Sequence, residues 1–167
     1  MQQLSKIFLD ICLFRANPEQ LPYSFFLMLL CIITYGVSGM AISLINLSMS
    51  KAILIVVVDV ALMVGFIYVG LWIRNFLNRA VKTITAVAGT GTLFTIIGLP
   101  LMMALNHQPK DQASIFSVLY LIVVIWNLAV LGQILRSALS LPSWVGIVIA
   151  LMYFYVSINV LTVLSMA

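Results

Sequence analysis

Long apolar stretches separated by short polar links dominate the pattern of this chain. Five of the stretches reach the roughly 20 apolar residues that a helix needs to cross the hydrocarbon core of a bilayer. We place these predicted spans at residues 22–47, 51–73, 83–105, 113–135 and 142–164. The pattern therefore predicts an all-α fold, a polytopic helical bundle whose transmembrane domain covers residues 17–167.

The first sixteen residues show a different pattern. Apolar side chains recur there at the spacing of one helix face, namely at Leu4, Ile7, Phe8, Ile11 and Phe14. At about 1.5 Å per residue this segment is too short to cross a membrane. We expect residues 1–16 to form an amphipathic interfacial helix, with its apolar face in the lipid and its end at Asn17-Pro18. Lys6, Asp10 and Arg15 interrupt the apolar run, so we expect no cleavable signal peptide.

Composition excludes several classes of protein. Of the 167 residues, 64% are apolar and 7% are charged, whereas a soluble domain carries about 25% charged residues. The eight Lys and Arg residues form no basic stripe, so we expect no nucleic-acid partner. Cys12 and Cys31 lack metal-site spacing, and His107, the single histidine, is interpreted as a solvated loop residue. We therefore expect no cofactor and no metal site.

The carboxylates also argue against an enzyme. There are four, Asp10, Glu19, Asp59 and Asp111, and the predicted spans put them at different depths and on different sides. No two of them form the acid/base pair that general acid–base catalysis needs. We predict a non-enzymatic protein with no catalytic residues.

The charges predict an orientation. With five spans, six cations share the side of the N-terminus: Lys6, Arg15, Arg74, Arg79, Lys82 and Arg136. Lys51 and Lys110 fall on the other side. The positive-inside rule then puts the N-terminus in the cytoplasm and the C-terminus outside, in what we expect to be a bacterial inner membrane. Arg74, Arg79 and Lys82 are candidates for contacts with lipid head groups or a docking partner.

Asp59 is the most informative residue, because it lies near the middle of the second span. An ionised carboxylate there costs roughly 2.5–3.5 kcal/mol, so it must be protonated, paired or turned toward a polar interior. Helix depth predicts polar neighbours at its level, namely Ser38, Thr95, Tyr120, Ser157 and Asn159. One interpretation is a polar clamp that holds the helices together. The alternatives are a proton or ion relay and a recognition point for a partner helix.

The third span is rich in threonine and glycine. Its spacings Ala88/Thr92 and Gly91/Thr95 place small residues on one helix face. Small residues let helix backbones approach closely in lipid. We interpret this span as a packing helix, and Gly89-Thr90-Gly91 as unrelated to a phosphate loop, because no Gly-Lys-Ser follows it.

Taken together, these segments resemble a known family. A short N-terminal segment leads through Asn17-Pro18-Glu19-Gln20-Leu21-Pro22 into five spans, and a basic loop precedes the Thr/Gly-rich span that ends in Leu99-Pro100-Leu101. The fourth span carries Trp126 and runs into LGQILRSAL, residues 131–139. The pattern is similar to that of the Yip1-like membrane proteins, specifically their small bacterial members. The resemblance implies five spans and a cytoplasmic N-terminus. It transfers no functional residues, and the trafficking role of the eukaryotic relatives is not carried over, because their long cytoplasmic N-terminal region has no counterpart here.

Two functions from different classes follow from the sequence. The first is an accessory or assembly subunit of a larger inner-membrane complex, because the short links require that any partner be met mainly inside the bilayer. The second is a small homo-oligomeric transporter or channel with Asp59 on the pathway. A lipid-modifying enzyme is a distant third. The expected partners are the lipid bilayer and either a membrane-protein subunit or further copies of the chain.

Overall fold

The described part of the chain is almost entirely helical. The computed structural model describes residues 2–106 and 115–166, so the loop predicted around His107, Lys110 and Asp111 lies outside the described residues. The described residues form six helices: α1 (Gln2–Cys12), α2 (Phe25–Ser43), α3 (Met49–Ile73), α4 (Ala80–Asn106), α5 (Ile115–Leu139) and α6 (Ser143–Met166). Short 3₁₀ turns lie at Pro18–Gln20 and Leu77–Arg79.

Helices α2 to α6 are each long and apolar enough to cross a membrane. Within residues 2–106 and 115–166 there is no β-strand. The predicted all-α bundle of five membrane helices, preceded by a short helix, is thereby confirmed. The chain is an integral membrane protein.

Helix α4 forms the centre of the bundle. Half of its most apolar stretch is buried inside the chain, compared with 6% for α2 and 11% for α5 and α6. Small side chains make this possible, because Ala86 and Ala88 are fully buried and let α2 and α5 approach closely. The packing role predicted for the Thr/Gly-rich span agrees with this position, and Pro100 lies within the helix near its end.

Several helix ends differ from the predicted ones. Helix α2 begins at Phe25, because the Ser24 hydroxyl caps it by accepting a hydrogen bond from the backbone N–H of Leu27 at 3.3 Å. Helix α5 extends to Leu139, four residues beyond the predicted bound, because Ala138 and Leu139 continue the buried face.

Helices α1, α3 and α5 end in the same way. Phe14, Asn75 and Ser140 follow them with φ of 60°, 57° and 52°. After α1, the N–H groups of Arg15 and Phe14 donate to the carbonyls of Asp10 and Ile11, which is the Schellman pattern. The predicted stop at Asn17-Pro18 is therefore preceded by an earlier one, since α1 ends at Cys12.

Three segments meet at one end of the bundle, which we call the basic end. They are the link at residues 74–79, the link at residues 140–142 and the turn Pro18–Gln20. They meet there through Arg79, whose guanidinium contacts both Glu19 and Ser140. The basic end is the side on which the charge count placed the N-terminus.

Helix α1 packs along the bundle. Ile11 is fully buried, the ring of Phe8 lies directly against Gly89, and the indole N–H of Trp126 donates to the carbonyl of Cys12 at 2.9 Å. Gly89 lies nine residues into α4, or roughly 14 Å from its start. The part of this face around Phe8 and Ile11, which was expected to enter the lipid, is therefore covered by α4 and α5.

Candidate functional site

The Asp59 carboxylate lies between three helices. Its Oδ2 accepts a hydrogen bond from the Tyr35 hydroxyl of α2 at 2.7 Å. Its Oδ1 accepts one from the Ser157 hydroxyl of α6 at 3.3 Å. Among the described residues no Lys or Arg forms an ion pair with Asp59. A carboxylate in the middle of α3 is thus held by two neutral hydroxyl groups.

Glycines bring Tyr35 to this carboxylate. A Cβ on Gly91 would lie 2.8 Å from the ring carbon Cε2 of Tyr35, so the bare backbone of α4 makes the space for the ring. On its other side, α2 presents Gly36 and Gly39 to Val56 of α3, at ordinary van der Waals distances from their ideal Cβ positions. The small residues of α2 and α4 therefore position the phenol that donates to Asp59.

A cavity of about 180 Å³ adjoins the carboxylate. All five membrane helices contribute to its lining, and its polar or aromatic lining residues are Tyr35, Asp59, Thr90, Thr95, Asn127, Tyr153, Phe154 and Ser157. The ring of Tyr153 is held by Phe66, with 5.1 Å between ring centroids and 51° between planes. The site is thus a cavity with polar, aromatic and aliphatic lining residues, set beside the Asp59 carboxyl group within an apolar bundle.

The threonine hydroxyls of α4 do not turn toward Asp59. Thr95 donates to the carbonyl of Gly91 at 2.8 Å, and Thr90 donates to that of Ala86 at 2.8 Å. Within the described residues, every buried side-chain nitrogen or oxygen atom has a hydrogen-bond partner. Helix α4 therefore shapes the cavity and leaves the bonding of Asp59 to α2 and α6.

The five neighbours predicted from helix depth divide into three groups. Ser157 bonds Asp59, and Thr95 lines the same cavity. Tyr120 lines an adjacent cavity of about 90 Å³ that shares Thr95 with the first. Depth alone brought these residues to the right level of the bundle.

Ser38 and Asn159 have other partners. The Ser38 hydroxyl donates to the carbonyl of Tyr35 at 2.9 Å, within its own helix. Asn159 is exposed, and its amide donates to the carbonyl of Tyr155 at 2.7 Å. Their depth agrees with that of Asp59, but the direction of each side chain around its helix differs.

Sequence reasoning missed Tyr35 and Tyr153. Tyr35 lies three residues before Ser38 on α2, so the depth argument chose the neighbour at the same level. A phenol is long enough to reach a carboxylate from one helical turn away. The length of the tyrosine side chain could therefore have indicated this contact. The side of α2 that faces α3 is marked by Gly36 and Gly39 in the sequence.

Two of the three cations proposed for head groups or docking make contacts within the chain. The Arg79 guanidinium lies 3.0 Å from a carboxylate oxygen of Glu19 and 4.8 Å from the ring centroid of Phe76. It also donates to Ser140 Oγ at 3.1 Å. Lys82 Nζ donates to the carbonyl of Glu19 at 2.8 Å. These two cations tie the segment before α2 to the helices α4 and α5.

Arg74 is placed differently. It is exposed and borders an apolar cavity of about 300 Å³ between α3, α4, α5 and α6. A cation at the mouth of an apolar cleft suits the head group and chain of an anionic lipid. Of the three, Arg74 alone forms no hydrogen bond or ion pair with another described residue.

Cys12 is a buried thiol. Its exposed fraction is 8%, and burial raises its pKa to about 11. A thiol with so high a pKa is a poor nucleophile at neutral pH. Cys31 is also buried and unpaired with Cys12. In the described part of the chain, no group of three His, Cys, Asp or Glu residues could hold a metal ion.

No family model, curated protein or solved structure matches this chain.

Proposed function

We propose that this integral membrane protein is a non-enzymatic accessory or assembly subunit of a larger complex in the bacterial inner membrane. The observation that carries the proposal is the exterior of the bundle. Helix α6 exposes Trp144, Leu151, Tyr155 and Val163 along its whole length. The described links between membrane helices are confined to residues 44–48, 74–79 and 140–142. A partner of this chain would therefore meet helix surfaces within the bilayer.

The proposal includes an orientation. The basic end carries Arg74, Arg79, Lys82 and Arg136, and the positive-inside rule assigns such an end to the cytoplasm. The resemblance to the small Yip1-like proteins implies the same arrangement and stays a prediction. Labelling of single cysteines placed at Asn75 and Asn46 in intact cells tests it, with only the latter expected to react with an impermeant reagent.

Crosslinking inside the bilayer tests the proposed function. A photoreactive residue in place of exposed Leu151 should form one stoichiometric adduct with a companion protein in native membranes. The same residue in place of buried Leu135 of α5 is the matched control, because it replaces a side chain of the same size, and it should crosslink only within the chain. Mass spectrometry of the adduct identifies the companion. A chain that purifies in mild detergent as a monodisperse monomer, without any adduct, would contradict the proposal.

A second candidate is a small homo-oligomeric transporter or channel with Asp59 on the pathway. The observation that favours it is the polar cavity at the carboxylate, since a helix clamp alone needs no open volume. Flux through the reconstituted protein should fall in Asp59→Asn and persist in Asp10→Asn, which removes a carboxylate from α1. Flux that is unchanged in Asp59→Asn would remove that residue from the pathway.

A further inference from the structure

We propose that the Asp59 cavity is a binding site for a small organic ammonium ion. The inference deepens the second candidate function, because it names the ligand class of the same cavity. It rests on three independent properties of the cavity: the unfilled bonding capacity of its carboxylate, its aromatic walls and its size.

The carboxylate has capacity for a cation. An ionised carboxylate offers about four acceptor positions on its two oxygens, and Tyr35 and Ser157 occupy two of them. Both partners are neutral, so they leave the charge uncompensated. A bound ammonium ion would supply both the missing N–H donors and the opposite charge in a medium where an unpaired charge is costly.

The walls suit an alkylated nitrogen. Tyr35, Tyr153 and Phe154 present aromatic rings to the same space as Asp59. The faces of aromatic rings attract cations, and aromatic cages with this composition recognise alkylammonium groups. Tyr35 is fixed by its hydrogen bond to Asp59, and Tyr153 by its contact with Phe66. Two of the rings are therefore already ordered before a ligand arrives.

The size restricts the ligand to a few heavy atoms. The cavity holds about 180 Å³, well below the roughly 300–1,000 Å³ of sites for drug-sized ligands. An inorganic cation of the hard type needs six or more oxygen ligands. Much of the lining is apolar, because Met63, Val87, Val124, Leu128 and Leu131 also face the cavity. An ion with its own apolar surface fits this lining better than a bare metal ion.

Equilibrium binding to the full-length protein in mild detergent tests the inference. Radiolabelled methylammonium is the probe, with dimethylammonium and Na⁺ as competitors. We expect saturable binding at one site per chain, displaced by dimethylammonium, which keeps N–H donors, and unaffected by an equal concentration of Na⁺. Asp59→Asn should weaken the affinity at least tenfold, and Asp10→Asn should leave it unchanged.

A second variant keeps the test informative if Asp59→Asn does not fold. Phe154→Leu removes one ring from the cavity, and it removes no hydrogen bond because the side chain has no polar atom. Phe154 is also partly exposed, so its loss should be tolerated by the fold. It should weaken methylammonium binding threefold or more in a protein with unchanged helix content. Absence of saturable binding to the folded wild-type chain, equal displacement by Na⁺, or full affinity in both folded variants would overturn the inference.

The outcome is separable from that of the transporter proposal. Amine binding without flux of methylammonium into proteoliposomes would remove the transport function and keep the site. Flux of H⁺ or Na⁺ that depends on Asp59, without amine binding, would keep the transport function and overturn this inference.

Discussion

The contact between α5 and α6 should be sensitive to a single methyl group. A Cβ on Gly146 would lie 2.6 Å from the carbonyl oxygen of Gly132 and 2.6 Å from Cβ of Arg136. Ordinary contacts of this kind begin near 3.4 Å. Gly146→Ala therefore requires the helices to separate by about 0.8 Å (3.4 − 2.6). The obstacle is backbone, so no side-chain rotation can relieve it.

Overpacking of this kind costs about 1–3 kcal/mol. Alanine also favours a helix over glycine by up to about 1 kcal/mol, which partly offsets the cost. Gly65→Ala provides the control, because a Cβ on Gly65 of α3 meets nothing within 4 Å. Both variants gain the helix-propensity contribution, so the difference between them isolates the steric contribution.

The free energies of unfolding can be compared by SDS titration in mixed micelles, followed by far-UV circular dichroism. We expect Gly146→Ala to be less stable than Gly65→Ala by about 1–3 kcal/mol. Equal stability of the two variants would refute the close approach of α5 and α6 at Gly132 and Gly146.

Three further outcomes follow from the structure. With its pKa of about 11, Cys12 should react with a thiol reagent at pH 8 about 100-fold more slowly than a thiol of pKa 9, and its rate should increase as the pH rises toward 11. Site-resolved mass spectrometry measures the labelling rate. A rate equal to that of a free thiol would contradict the burial of Cys12. Gly89→Ala should raise the rate of Cys12 labelling, because a Cβ there overlaps the Phe8 ring and loosens the packing of α1 against α4; unchanged labelling would mean that the ring moves aside without a shift of α1. Arg79→Ala should lower the free energy of unfolding by about 0.5–1.5 kcal/mol, because it removes partly exposed hydrogen bonds and an ion pair that connect three segments. Arg74→Ala is the control, and equal effects of the two variants would show that Arg79 does not connect these segments.

The architecture was predictable because a bilayer imposes simple length and polarity requirements on each helix. Helix α3 ends at Ile73, as predicted, because an aromatic residue and a cation, Trp72 and Arg74, mark the membrane interface on either side of it. The end of α5 was less predictable. Arg136 suggested an interface, yet the helix continues to Leu139 because its neighbours bury the next turn. Burial against other helices is a property of the fold that hydropathy does not report.

The residues at which α1, α3 and α5 end in a left-handed conformation were also not predictable from the sequence. The left-handed position after a helix usually carries glycine, but Phe14, Asn75 and Ser140 occupy it here. Of these, only Asn75 belongs to a residue type that tolerates this conformation well. Phe14 counted as an apolar helix residue in the periodic pattern, so the pattern itself concealed the end of α1.

At the Asp59 site, the depth of a residue along its helix was predictable, but the direction of its side chain around the helix was not. Depth along a helix follows from counting residues, and it placed Ser157 beside Asp59 correctly. The direction of a side chain around its helix depends on which neighbours pack there, and this separated Asn159 from the site and brought in Tyr35.

Glycine positions in the sequence bear on the direction of neighbouring side chains as well as on helix packing. Gly91 admits the Tyr35 ring against α4, and so sets the position from which the phenol donates to Asp59. The small residues of α4 were interpreted from the sequence as packing, and the polar residues of the other helices as candidate chemistry. In the structure the two depend on each other, because a methyl group at Gly91 would move the donor of the shortest hydrogen bond to the carboxylate. Packing at α4 is therefore part of what holds the Asp59 carboxyl group in place.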